Sequence, residues 1–177
     1  MTDYILNDDR DAKDILIEKT CAQVLDRVAK EFPDQIAFKY TTLDYTRTYA
    51  EFRDEVDLVA RALLSVGVKS GDHVAVWATN VPEWYLVFWA TTKIGAVLVS
   101  VNTAYKSHEI EYLLRQSDTH TLFIIDGYRD SNYAEIINEL CPELKTNKKG
   151  STQGRLRAVP PIFPHSGLSN ILTYVYG

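Results

Sequence analysis

Residues 80–102 read NVPEWYLVFWATTKIGAVLVSVN, and the fold follows from how such a stretch has to be buried. Pro82 suits a first helical turn, because its fixed φ matches the helix and its missing N–H would have no partner there. From Trp84 to Ala90 every residue is apolar, and a helix apolar all round must be covered by protein on more than one side. Lys93 stands in the last turn and Gly95 just past it, the usual arrangement for a helix stop. Ala96 to Val101 then runs with no regular polar alternation, as a strand buried on both faces does. A buried helix feeding a buried strand is half of a βαβ unit, so the stretch predicts the interior of an α/β domain.

The flanks supply the rest of that domain. Upstream, Thr20 can cap a helix with Val24, Leu25, Val28 and Phe32 inward, ended by Pro33. Ala37 to Tyr40 and Tyr45 to Thr48 read as a short hairpin. Thr48 and Glu51 form a capping box, and the helix behind it puts Phe52, Val56, Val59, Ala60, Leu63 and Leu64 on one stripe before Gly67 ends it. Gly71-Asp72 turns into a strand from His73 to Trp77. Downstream, Ser107 can cap a helix with Ile110, Leu113 and Leu114 inward, and His120 to Ile125 is a buried strand. Tyr133, Ile136, Ile137 and Leu140 mark a last helix, stopped by Pro142. The order β-α-β-α-β-α predicts a parallel, doubly wound sheet with helices on both faces.

Three regions follow: a loosely ordered N-terminus over 1–18, an α/β subdomain over 19–144, and a basic Gly/Pro-containing linker with a truncated terminal strand over 145–177. The linker gathers Lys145, Lys148, Lys149, Arg155 and Arg157 without an acid, and Ile171 to Tyr176 ends it as a strand with no helix after it. A solvated connection is preferred for the basic run over a phosphate contact. The net charge of −5 over 177 residues argues against nucleic acid as a partner. No apolar run approaches the roughly 20 residues of a membrane span. Two cysteines without CxxC spacing and an acidic start, MTDYILNDDRDAKD, lead us to expect a cytoplasmic protein.

Doubly wound sheets bind ligands at the carboxyl ends of their strands, where this chain carries Thr79-Asn80, Asn102-Thr103 and Asp126-Gly127. Such residues also cap helices and make turns, and that reading is preferred. No glycine fingerprint for a dinucleotide follows the strand His73 to Trp77, and Gly150 to Gly154 is a weak phosphate-loop candidate among prolines. His73, His108, His120 and His165 have no metal spacing, and there is no GxSxG elbow. Trp84, Tyr85, Phe88 and Trp89 could wall an apolar pocket, although plain core is the preferred reading. The residues make no complete catalytic constellation.

Several short matches in a fixed order add to this: Thr48-Tyr49; Gly67-Val68 with Gly71-Asp72-His73-Val74-Ala75; Asn80 with Glu83-Trp84; Lys93-Ile94-Gly95-Ala96; Val101-Asn102, Tyr105, Glu109-Ile110 and Ser117. Through them the chain from Thr48 to about Leu144 resembles the N-terminal part of the AMP-forming acyl-CoA synthetases, most of all the fatty-acyl-CoA ligase branch of that acyl-adenylate-forming superfamily. Thr103 departs from the Pro that many relatives carry after the Asn. The resemblance implies a ligase joining a carboxylic acid, here a medium- or long-chain fatty acid, to CoA through an acyl-adenylate, with ATP, Mg²⁺ and CoA as cofactors. It also implies that the phosphate loop, the nucleotide site and the catalytic lysine lie downstream of this segment. No catalytic, cofactor-binding or metal-binding residue is therefore assigned here, and the segment is expected to be inactive alone. The alternatives are a stand-alone α/β binding or oligomerisation module, which could form a homo-oligomer, and a ligase of the same superfamily acting on an aryl or other acid.

Overall fold

The computed structural model describes residues 19–142, 156–159 and 172–176. Local chemistry sets the first elements. Thr20 Oγ1 accepts from the Gln23 N–H and the Gln23 amide answers from the other side, so helix α1 (Cys21–Glu31) opens with a capping box. Strands β1 (Ile36–Tyr40) and β2 (Tyr45–Thr48) form the expected antiparallel hairpin. Thr48 and Glu51 close the second capping box at the head of α2 (Tyr49–Ser65). Phe52, Val56, Val59, Ala60 and Leu63 are buried along it, whereas Leu64 is 53% exposed, because it lies one residue round from the stripe.

Strand β3 (His73–Trp77) leads into α3 (Pro82–Ile94), which starts on Pro82 and stops on Gly95 at φ +74°. A Cβ on Gly95 would meet Ser70 Oγ at 2.6 Å, and the Gly95 carbonyl accepts from Gly71 N–H at 2.8 Å, so glycine is required where this helix end meets the turn before β3. Strand β4 (Val97–Ser100), α4 (Ser107–Gln116), β5 (Thr119–Ile124), the short β6 (Gly127–Tyr128) and β7 (Ser131–Asn132) pair, and α5 (Tyr133–Leu140) follow. Lys106, not Ser107, is the N-cap of α4, and its N–H is bonded by the Glu109 carboxylate at 3.1 Å. Strands β8 (Leu156–Val159) and β9 (Leu172–Tyr176) complete the described elements.

The main sheet has the order β4-β3-β5-β9-β8. Strands β4, β3 and β5 are parallel, as expected from the helices that join them. The parallel direction stops there: β9 runs antiparallel to β5, and β8 antiparallel to β9. The sequence reading did not anticipate β8, which falls where an irregular linker was expected. Nor is β4 buried on both faces. It pairs only with β3 among the described strands, and Val97 is 45% exposed at that edge.

Period-two alternation divides the core into two layers. Val74 and Val76 of β3 and Phe123 of β5 face α2 and α3, packing with Val56, Leu63, Val87 and Ala90. Ala75, Trp77, Leu122 and Ile124 point the other way, against Ile110 of α4 and Tyr133 and Ile137 of α5. Helices thus cover both faces of the parallel part. Full burial of such side chains contributes roughly 1.5–3 kcal/mol each. The helical layer is tied across by Lys93 of α3, whose Nζ lies 2.8 Å from Asp26 of α1 and 2.5 Å from Asp57 of α2.

Candidate functional site

At the carboxyl ends of β3, β4 and β5 the Trp77, Asn102 and Tyr133 side chains bond within the protein itself. Trp77, the last residue of β3, stacks on Tyr133, the first of α5, with ring centroids 3.7 Å apart and planes 10° from parallel. Both are fully buried. The Trp77 indole N–H donates to the Asn102 carbonyl at 3.1 Å, and the Tyr133 hydroxyl donates to the Thr103 carbonyl at 2.7 Å. Burial pushes the Tyr133 phenol up to about 12, with a smaller contribution from Tyr128.

The polar residues singled out from sequence have local duties here. Asn102 Oδ1 accepts from Ala104 N–H at 2.9 Å, an Asx turn. The Asp126 carbonyl accepts the Tyr133 N–H at 3.0 Å. At Gly127 a Cβ would fall 2.1 Å from the Ser131 carbonyl oxygen, so the close approach of β6 and β7 requires glycine. The turn-and-cap reading of Asn102-Thr103 and Asp126-Gly127 is the one the structure bears out. Behind these turns the Trp77–Tyr133 stack belongs to the buried core between the sheet and α5.

A second concavity lies at the start of α3. Tyr40 from β1, Asn80 and Val81 from the loop after β3, and Trp84 and Tyr85 from α3 line an open cleft of about 450 Å³. The plain-core reading of the α3 aromatics needs correcting. The fully buried side of α3 includes Leu86, Val87, Ala90 and Thr91, while Trp84, Phe88 and Trp89 are half-buried and Tyr85 is 47% exposed. Trp84 and Trp89 still pack against the α2 core, Trp89 meeting Phe52 edge-on at 6.2 Å, so the core reading fails for Tyr85 and holds in part for the two tryptophans.

The wall of the cleft is held from beneath by Phe38. Its ring lies 4.8 Å from Phe52, 5.6 Å from Tyr45, 5.8 Å from Tyr40 and 5.9 Å from Tyr85. Tyr45 is buried, donates its hydroxyl to Glu55, and has the Arg47 guanidinium 4.1 Å over its ring. Arg47 Nε bonds the other Glu55 oxygen at 2.5 Å. Burial first, and then the hydrogen bond to Glu55, hold the Tyr45 phenol far above its ordinary range. Burial also raises Tyr40, followed by the fields of Tyr85 and Glu83. Glu83 is itself buried in the first turn of α3, where the helix dipole favours a carboxylate. Tyr40 escaped sequence reasoning, since only tertiary packing brings the hairpin to this helix.

Chemically the cleft offers aromatic faces, one amide and no charged lining residue. His73 opens β3, and His120 Nδ1 pairs with Thr121 Oγ1 at 2.8 Å, in keeping with strand packing. Among the described residues no group of three or more His, Cys, Asp or Glu could hold a metal. His165, Gly150 to Gly154, and the basic positions Lys145, Lys148, Lys149 and Arg155 lie outside the described residues. Among the described residues none is assigned to ATP, Mg²⁺ or CoA, and at the ends of the strands Trp77 and Tyr133 spend their polar atoms on the Asn102 and Thr103 carbonyls.

Comparison with known proteins gives a consistent picture. The sequence pattern of the family described as AMP-binding enzyme matches residues 25–165. The Bacillus subtilis protein YngI, a candidate acyl-CoA synthetase, is 46% identical over 135 residues, covering 76% of this chain and 25% of YngI. The mitochondrial medium-chain acyl-CoA ligase ACSF2 of Mus musculus is 35% identical over 136 residues, covering 77% of this chain and 22% of ACSF2. Among solved structures, the N-terminal subdomain of Klebsiella oxytoca NpsA in complex with anthranilyl-AMSN superposes with a TM-score of 0.55 at 29% identity, over 59% of this chain and 26% of that one. The chain therefore spans about a quarter of the length of the curated relatives it matches.

Proposed function

The chain belongs to the AMP-binding enzyme family, and from that premise we propose that it is one part of a carboxylate–CoA ligase that acts on a medium- or long-chain fatty acid. In that reaction a carboxylate oxygen attacks the α-phosphorus of ATP and pyrophosphate leaves. The CoA thiol then attacks the acyl carbon and AMP leaves. Adenylation supplies the leaving group that a carboxylate lacks, and Mg²⁺, held by residues outside those described, would supply charge to offset the phosphates. The contribution of this chain is the α/β unit read over 19–144, with β8 and β9 added to its sheet as a support for the catalytic parts. The observation that carries the proposal is the family match over 25–165, together with 46% identity to YngI.

ATP–pyrophosphate exchange tests it. The full product of the reading frame containing this chain is expected to exchange labelled pyrophosphate into ATP when given octanoate or palmitate, and the 177-residue chain alone is not. Exchange by the chain alone, or none by the longer product with any acid, would overturn the assignment. An aryl acid is the second reading, favoured by the structural match to NpsA bound to an anthranilyl compound. Exchange with anthranilate or benzoate in place of the fatty acids would select it. The cytoplasm is the proposed compartment. Two cysteines without CxxC spacing and an acidic start support that reading.

A further inference from the structure

Helix α3 has two apolar sides, and the described structure covers one fully and the other in part. Leu86, Val87, Ala90 and Thr91 are buried, whereas exposed Tyr85 and half-buried Phe88, with the outer edge of Trp84, whose other side packs on the core, form a ridge on the outward side. Within the ridge Trp84 and Phe88 stack with centroids 6.1 Å apart and planes 6° from parallel, and Trp84 meets Tyr85 at 6.1 Å. The ridge runs into the cleft of about 450 Å³ walled by Tyr40, Val81, Trp84 and Tyr85, where exposed Asn80 is the polar lining side chain capable of an amide contact. Clustered Trp and Tyr with no charge among them is the composition of the centre of a protein contact, not of scattered surface residues.

The lengths on either side of the comparison say what covers it. The matched part takes up 25% of YngI, 22% of ACSF2 and only 26% of the isolated NpsA N-terminal subdomain. Even one subdomain of a relative holds far more polypeptide than this unit. We infer that the outward aromatic ridge of α3, with the cleft at its N-terminal end, seats an apolar segment of the further polypeptide that family members carry, docked within the same molecule. A bulky aliphatic or aromatic side chain of that segment fills the cleft, and a main-chain group meets Asn80. The inference rests on the reading of this chain as part of a larger ligase.

Thiol labelling of the longer product tests it, with Cys21→Ser and Cys141→Ser as the background. In that protein Tyr85→Cys is expected to react about tenfold or more slowly with a maleimide than Tyr112→Cys. Tyr112, 69% exposed on α4, is the open reference. Hydroxyl-radical footprinting of the unsubstituted protein reads the same contrast at Trp84 and Tyr85 without any variant having to fold. Equal reactivity at the two positions overturns the inference. So does protection that disappears on dilution, which would assign the ridge to a second copy, and so does a reading frame that ends with this chain. Protection that persists where pyrophosphate exchange fails would sink the ligase reading and leave the docking surface standing.

Discussion

Tyr133 makes the clearest statement at the scale of a single residue. Its phenol titrates near about 12 in the fold because it is buried, whereas an unfolded tyrosine titrates near about 10. Between those values the native state keeps a proton that the unfolded chain has lost. Stability from this group is therefore complete below about pH 10 and drains away as pH rises toward about 12. Tyr133→Phe removes that dependence together with one hydrogen bond. Urea melts should show the variant about 0.5–1.5 kcal/mol weaker at neutral pH, yet losing less between about pH 9 and 11 than the parent. Some alkaline slope will remain, because Tyr45 is shifted in the same direction. Identical slopes would refute the assignment. The caps at Thr20 and Thr48 could be read from sequence because each involves neighbours three residues apart. Trp77 with Asn102, and Tyr45 with Glu55, could not, since the fold alone brings those partners together.

At the scale of elements, the α1–α2–α3 layer depends on one cation. Burial lowers the Lys93 ammonium, but its hydrogen bonds to Asp26 and Asp57 outweigh this and hold it above the ordinary lysine range. Lys93→Met leaves the carboxylates of Asp26 on α1 and Asp57 on α2 facing each other without the cation between them. The expected loss is about 1 kcal/mol at low salt, narrowing as salt screens both the attraction and the new repulsion. Denaturation midpoints of parent and variant at two ionic strengths check this, and a gap indifferent to salt would show that packing, not charge, is at stake. The alternation of helices and strands from His73 to Leu140 was legible because each element carries its own period and stop signal. The edge position of β4 was not, because VLVS gives no sign of how many neighbours a strand will have. The two-residue β6 and β7 are too short to carry any period.

For the molecule as a whole, protection should follow the sheet order. β3 lies between β4 and β5, β5 lies between β3 and β9, and Val74 to Trp77 and Leu122 to Ile124 are fully buried. Their amides are expected to be the slowest to exchange with deuterium, with those of the peripheral β1–β2 hairpin opening earlier. Hairpin amides outlasting β3 would contradict the layered core. The parallel core was readable because helical crossovers force it, while the reversal at β9 was not, since no helix read from sequence leads into that strand. The candidate site divides the same way. The strand-end polar residues were legible as turn formers, but the outward aromatic ridge came to light only when the buried side of α3 proved to be Leu86, Val87 and Ala90. The Trp77–Tyr133 stack has an optical consequence. Light absorbed by the phenol passes to an indole 3.7 Å away, and that transfer dies off steeply as the rings separate. Tryptophan emission excited through tyrosine should therefore fall when α5 leaves the sheet, against a background from Tyr85 and Trp84 that stays within α3.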